Sequence, residues 1–165
     1  MSDSSAPLDL YLAYYADAES ARLDYEGLKD LADGDVIKLE AIVLVTRTAD
    51  GKIEVEDEEH TGRKGAGWGA AAGLVVGALF PPSLLAGAAA GALVGGGAGS
   101  LISRKNRNDI KADLETRMPP DSSAVVAAFE EVFVKQVEES LSRAAHVQKE
   151  ELDDSSETAV KDANS

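Results

Sequence analysis

The chain has no cysteine. Disulfides, thiol nucleophiles and thiolate metal sites are therefore excluded, and a reducing compartment is compatible but not required. It has only two histidines, His60 and His146. No HExxH, Gly-x-Ser-x-Gly or metal-spaced His/Cys set is present. No glycine-rich run is followed by Lys-Ser or Lys-Thr, so a phosphate-cradling loop is not indicated. Met1 to Pro7 is polar and acidic, without the basic and apolar regions of a secretory leader, and none is expected. The most informative absence is local: no charged residue lies between Lys64 and Arg104.

That uncharged stretch, residues 65–103, is built on regular glycines. Gly65, Gly69, Gly73 and Gly77 recur at four-residue spacing, as do Gly87, Gly91, Gly95 and Gly99. Residues i and i+4 share one helix face, so each set predicts a groove without side chains. Glycine costs a helix about 1 kcal/mol relative to alanine, which argues against a solitary water-facing helix. The spacing fits close backbone approach between helices. The halves also align, Gly69-Ala-Ala-Ala-Gly73 with Gly87-Ala-Ala-Ala-Gly91, at an offset of 18 residues. Pro81-Pro82 would close the first arm and Ser83 would cap the second, giving a helical hairpin.

Length and hydrophobicity bound what such a hairpin can do. The second arm would reach roughly 28 Å and the first about 24 Å, against roughly 30 Å of bilayer hydrocarbon. The strongly apolar residues of the first arm contribute only about −1.5 to −3 kcal/mol toward insertion. The inserting unit is then the paired hairpin in an oligomer. Arg63 and Lys64 precede it, and Arg104, Lys105 and Arg107 follow. Together with Trp68 they form the expected membrane-interface set, both clusters on the cytoplasmic side. The competing reading is a glycine-packed core hairpin in a soluble assembly.

Charge is uneven. The total is −14. Residues 1–62 carry −11, residues 63–107 carry +5 and residues 108–165 carry −8. Acidic flanks argue against nucleic acid, which needs clustered Lys and Arg. The basic collar would be drawn to anionic headgroups that repel the flanks.

The remaining segments read as follows. Residues 1–7 are a flexible N-terminus. Residues 8–62 form the first half of an α+β domain: a strand over Leu8 to Tyr15, a helix from Ala18 to Leu31 capped by Asp17, a strand over Val36 to Thr48, and a returning strand from Lys52 to Glu56. Tyr11, Tyr14 and Tyr15 read as strand packing rather than a binding cluster. Asp57-Glu58-Glu59-His60 reads as a solvated linker rather than a cation site. Residues 63–104 are the glycine-zipper hairpin. Residues 105–152 supply a polar helix and the second half of the domain. In that half Ser123 to Phe129 is a strand, Glu130 to Ala145 an amphipathic helix and His146 to Leu152 an edge strand. Residues 153–165 are a disordered acidic tail. The fold class predicted is α+β: a split βαβ, ferredoxin-like sheet with the Gly/Ala-rich helical hairpin inserted between its halves.

Over residues 8–152 this pattern resembles a bacterial family of unknown function, described as predicted membrane proteins and related to general-stress-like proteins. The residues carrying the resemblance are His60-Thr61-Gly62, the zipper glycines, Pro81-Pro82 and the Ser-Ser-Ala-Val-Val run at 122–126. The resemblance implies a membrane-associated, stress-linked oligomer. It supplies no catalytic, cofactor or metal residues. Carboxylates are abundant but fall on predicted solvated faces, so an enzyme is not expected. The leading expectation is a non-enzymatic homo-oligomer assembled through its glycine faces. It would contact lipid at the bacterial inner membrane with both termini cytoplasmic, the alternative location being cytoplasmic. The competing functions are a soluble self-assembling scaffold whose hairpins form subunit contacts, and a small-ligand binding module.

Overall fold

The computed structural model describes residues 7–56, 112, 116–152 and 157–158. In chain order they form β1 (Leu8–Tyr15), α1 (Ala18–Asp33), β2 (Leu39–Arg47), β3 (Ile53–Glu56), β4 (Ser123–Glu130), a 3-10 turn (Glu131–Phe133), α2 (Val134–Ser140) and β5 (His146–Glu151). The strands make one sheet in the order β3-β2-β4-β1-β5. Every neighbouring pair is antiparallel. β4 therefore lies between β1 and β2, which run parallel to each other across it.

Local chemistry explains the elements. β1 alternates two apolar sets, and both are buried. Tyr11, Ala13 and Tyr15 meet Ala21, Tyr25 and Leu28 of α1 in the first core layer. Leu8, Leu10, Leu12 and Tyr14 face the other way and are buried as well. A strand shielded on both faces reads as nearly continuous apolar sequence. α1 begins because the Asp17 carboxylate accepts the Ser20 backbone N–H at 2.8 Å, and Ser20 Oγ donates back at 3.0 Å.

The end of α1 is set by Asp35 rather than by Gly34. Gly34 sits at φ −86°, while Asp35 takes φ +59°. The Val36 N–H donates to Leu31 O at 2.8 Å and the Asp35 N–H to Ala32 O at 3.1 Å. This is the paired closure in which a left-handed residue follows the helix, a position glycine fills with least strain. Asp35→Gly should therefore stabilise the chain by up to about 1 kcal/mol, read as a higher urea midpoint with unchanged slope.

These observations correct the expected fold class. The described residues do not form a ferredoxin-like split βαβ sheet carrying an inserted helical hairpin. They form a five-stranded, fully antiparallel sheet, and the two helices packed on it are the 16-residue α1 and the 7-residue α2. Two physical reasons account for the difference. β3 folds back on β2 through the Thr48–Lys52 turn, with Gly51 at φ +87°, and becomes a full member of the sheet. β4 continues to Glu130, opposite Leu8, and so takes a residue assigned to the second helix, which then starts as a 3-10 turn. The expected Gly/Ala-rich hairpin lies outside the described residues.

The inner-membrane placement with both termini cytoplasmic is likewise overturned. Among the described residues no helix is long and apolar enough to cross a membrane. α1, the longest of them, carries charged residues along its outer face and buries only its inner stripe.

Candidate functional site

Two of the described polar networks lie on or beside β1. The first is Asp24, on the inner side of α1 and 1 % exposed. Its Oδ2 accepts the Tyr15 hydroxyl at 2.9 Å and the Arg143 backbone N–H at 3.0 Å. Its Oδ1 accepts from the Arg143 guanidinium at 2.8 Å. One carboxylate thus joins β1, α1 and the loop between α2 and β5. Burial, followed by the bond to Asp24, pushes the Tyr15 hydroxyl far above its ordinary value. Tyr15 therefore stays protonated and serves as a donor, not as a nucleophile.

The second place is the rim formed by β1, α2 and β5. The Tyr11 hydroxyl donates to Glu138 at 3.1 Å, and Lys149 pairs with the same carboxylate. Lys149 also sits 5.3 Å from the centre of the Tyr11 ring. The Lys149 ammonium holds the Glu138 carboxyl below its ordinary value, so it remains an ionised acceptor and is a poor general acid. On the other face of β1 the Tyr14 hydroxyl donates to Gln148 at 3.1 Å, and the Tyr14 ring stacks on His146 at 6.1 Å. Both networks lock elements together; each carboxylate is aimed at a donor of the fold.

Asp9 is the exception, because no favourable partner dominates it. Burial raises its carboxyl first, and the charges of Glu131 and Glu151 add to the effect. A raised folded-state value means that ionised Asp9 opposes folding at neutral pH. The penalty disappears as the pH falls through that raised value and below the ordinary 3.8. Asp9→Asn should accordingly raise the urea midpoint at neutral pH, with the advantage vanishing in acid. A midpoint series across pH checks both halves.

The sequence-derived candidates fall elsewhere. The eight zipper glycines (Gly65, Gly69, Gly73, Gly77, Gly87, Gly91, Gly95 and Gly99) and the interface set of Arg63, Lys64, Trp68, Arg104, Lys105 and Arg107 all lie outside the described residues. So does the Asp57–His60 linker. The three β1 tyrosines do pack in the strand, each with its hydroxyl bonded across to another element. Asp24 and Arg143 were not singled out by sequence. A signal for Asp24 was there: it falls between Ala21, Tyr25 and Leu28 on the inner stripe of α1, where a carboxylate requires a buried partner. Among the described residues no cluster of His, Cys, Asp or Glu is arranged to hold a metal ion.

A family model described as protein of unknown function (DUF1269) matches residues 66–164. The chain belongs to the DUF1269 family. The DUF1269 match spans the uncharged stretch together with β4, α2 and β5. Its description is one of unknown function and says nothing of membrane insertion, glycine packing or stress. No curated protein and no solved structure matches the chain. For this DUF1269 chain, function has to be argued from its own residues.

Proposed function

We propose that the chain is a non-enzymatic, self-assembling scaffold whose partner is a second copy of itself, with subunit contacts made by residues 65–103. The observation supporting this reading is the double set of glycines at four-residue spacing in an uncharged stretch. Such faces gain most from close packing against another small-residue face. Two features of the sheet are compatible with assembly by this route rather than by edge pairing. β5 at one edge reads His-Val-Gln-Lys-Glu-Glu, and β3 at the other is only four residues long with two glutamates. Charged, short edges resist strand addition. The net charge of −14 also disfavours a nucleic-acid partner.

The test is oligomer size by light scattering for the full chain and for a Gly73→Leu/Gly91→Leu variant. The native chain should form a defined multimer. The variant should shift toward monomer with its urea midpoint little changed. A native chain that is monomeric at every concentration sinks the proposal. A native chain that scatters as a monomer yet floats with liposomes would replace self-contact by lipid contact.

A further inference from the structure

The turn between β2 and β3 carries a reactive pair of residues, apart from the stretch assigned to self-contact. The chain has two Asp-Gly steps, Asp33-Gly34 and Asp50-Gly51, and no Asn-Gly step. At an Asp-Gly step the glycine nitrogen can attack the aspartate side-chain carbonyl carbon, because glycine has no Cβ to hinder the approach. The two steps sit in different surroundings. Asp33 is the last residue of α1, and the Gly34 N–H donates to Asp30 O at 3.0 Å. Helical side chains lean toward the N-terminus of their helix, which carries a carboxyl away from the nitrogen that follows it. Asp50 has no helix around it. It is exposed in the three-residue connection Ala49-Asp50-Gly51, closed by the Thr48 N–H on Lys52 O at 2.8 Å. Gly51 lies at φ +87°, and a Cβ built on it would meet only the end of the Arg47 side chain, at 3.9 Å.

Thr48 holds both reacting groups. Its hydroxyl donates to the Asp50 carboxylate. Its carbonyl accepts the Gly51 N–H at 2.9 Å. The first contact holds the Asp50 carboxyl below its ordinary value, so it stays ionised and has no hydroxyl to lose. The second ties up the nitrogen that would attack. We propose that Asp50-Gly51 is a site of spontaneous isoaspartate formation whose rate is set by Thr48. The Gly51 nitrogen loses its proton to solvent and bonds to Asp50 Cγ. The hydroxyl of the protonated carboxyl leaves as water, and a succinimide remains. One water then opens that ring. Opening at the side-chain carbonyl restores aspartate. Opening at the main-chain carbonyl leaves the backbone running through the side chain, one methylene longer. The added carbon falls between Arg47 and Ile53, which face each other across the hairpin, so β3 loses its register on β2.

Incubating the full chain at neutral pH in heavy-oxygen water, then mapping peptides over both steps, tests this. Each succinimide opening incorporates one heavy oxygen and so marks the event. In the native chain isoaspartate should accumulate at Asp50 at least about tenfold faster than at Asp33. In urea, where neither step is held, both rates should rise and converge. Thr48→Val removes the hydroxyl and keeps the carbonyl. It should raise the Asp50 rate about threefold or more and leave the Asp33 rate unchanged. The break in the pH profile set by ionisation of the Asp50 carboxyl should also move up, a shift that a merely looser turn would not give. Thr48→Ser should behave as the native chain. No isoaspartate at Asp50 in the native chain, or equal native rates at the two steps, would overturn the proposal. So would a Thr48→Val chain whose rate or pH break is unchanged.

Discussion

Asp24→Ala should lower the stability of the chain by about 3 kcal/mol, the largest effect expected of any polar substitution in the described core. The variant removes the acceptor of three hydrogen bonds at once. The buried Tyr15 hydroxyl is left without its partner, at about 1–3 kcal/mol. The Arg143 backbone N–H loses its acceptor as well. The guanidinium itself contributes less, because the Arg143 side chain is 51 % exposed and its charge is screened by water. Arg143→Met should therefore cost less than Asp24→Ala, since its backbone N–H still reaches Asp24, but it leaves the buried carboxylate without its counter-charge. Urea unfolding of the two variants separates these contributions. Equal losses would mean that the ion pair, not the buried acceptor, is what holds α1 to the loop before β5.

Phe129→Ala should cost about 3–5 kcal/mol. Phe129 is fully buried in β4, and its ring meets Tyr11 edge-on with centroids 4.8 Å apart. Truncation loses that contact and leaves a cavity bordered by strands on both sides, where collapse is limited. Val132→Ala, three residues on and 63 % exposed, should change the midpoint by less than about 0.5 kcal/mol. Thermal or urea unfolding of the pair checks the contrast. If Phe129→Ala were as mild as Val132→Ala, the first core layer would not be centred where the packing places it.

Much of the local structure was legible because its signals are local. The Leu8–Tyr15 alternation is a strand, Asp17 caps α1, and the turn at Asp50-Gly51 returns β3 to β2. The fold class was not legible. The order β3-β2-β4-β1-β5 depends on pairings of β4 with β1 and β2, strands far from it in sequence, which no local pattern carries. The length of α2 depended on a competition: Glu130 suits a helix start by pattern, but as the partner of Leu8 it is held in β4. For the site, the tyrosines were legible as packing residues. Their hydroxyl partners were not, because Asp24, Glu138 and Gln148 lie 9, 127 and 134 residues from the tyrosines they serve.

The position of β4 between β1 and β2 has a consequence for synthesis. When the first 56 residues have emerged from the ribosome, β1 and β2 have no strand between them, and neither can finish its hydrogen bonding. The central strand arrives only with residues 123–130, after the whole uncharged stretch has been made. Stable folding must therefore wait until β4 is free of the ribosome. In the interval the nascent chain exposes two apolar strands and a glycine-rich stretch together. Slowing synthesis before β4 is made would lengthen the exposure of those two strands rather than help them fold.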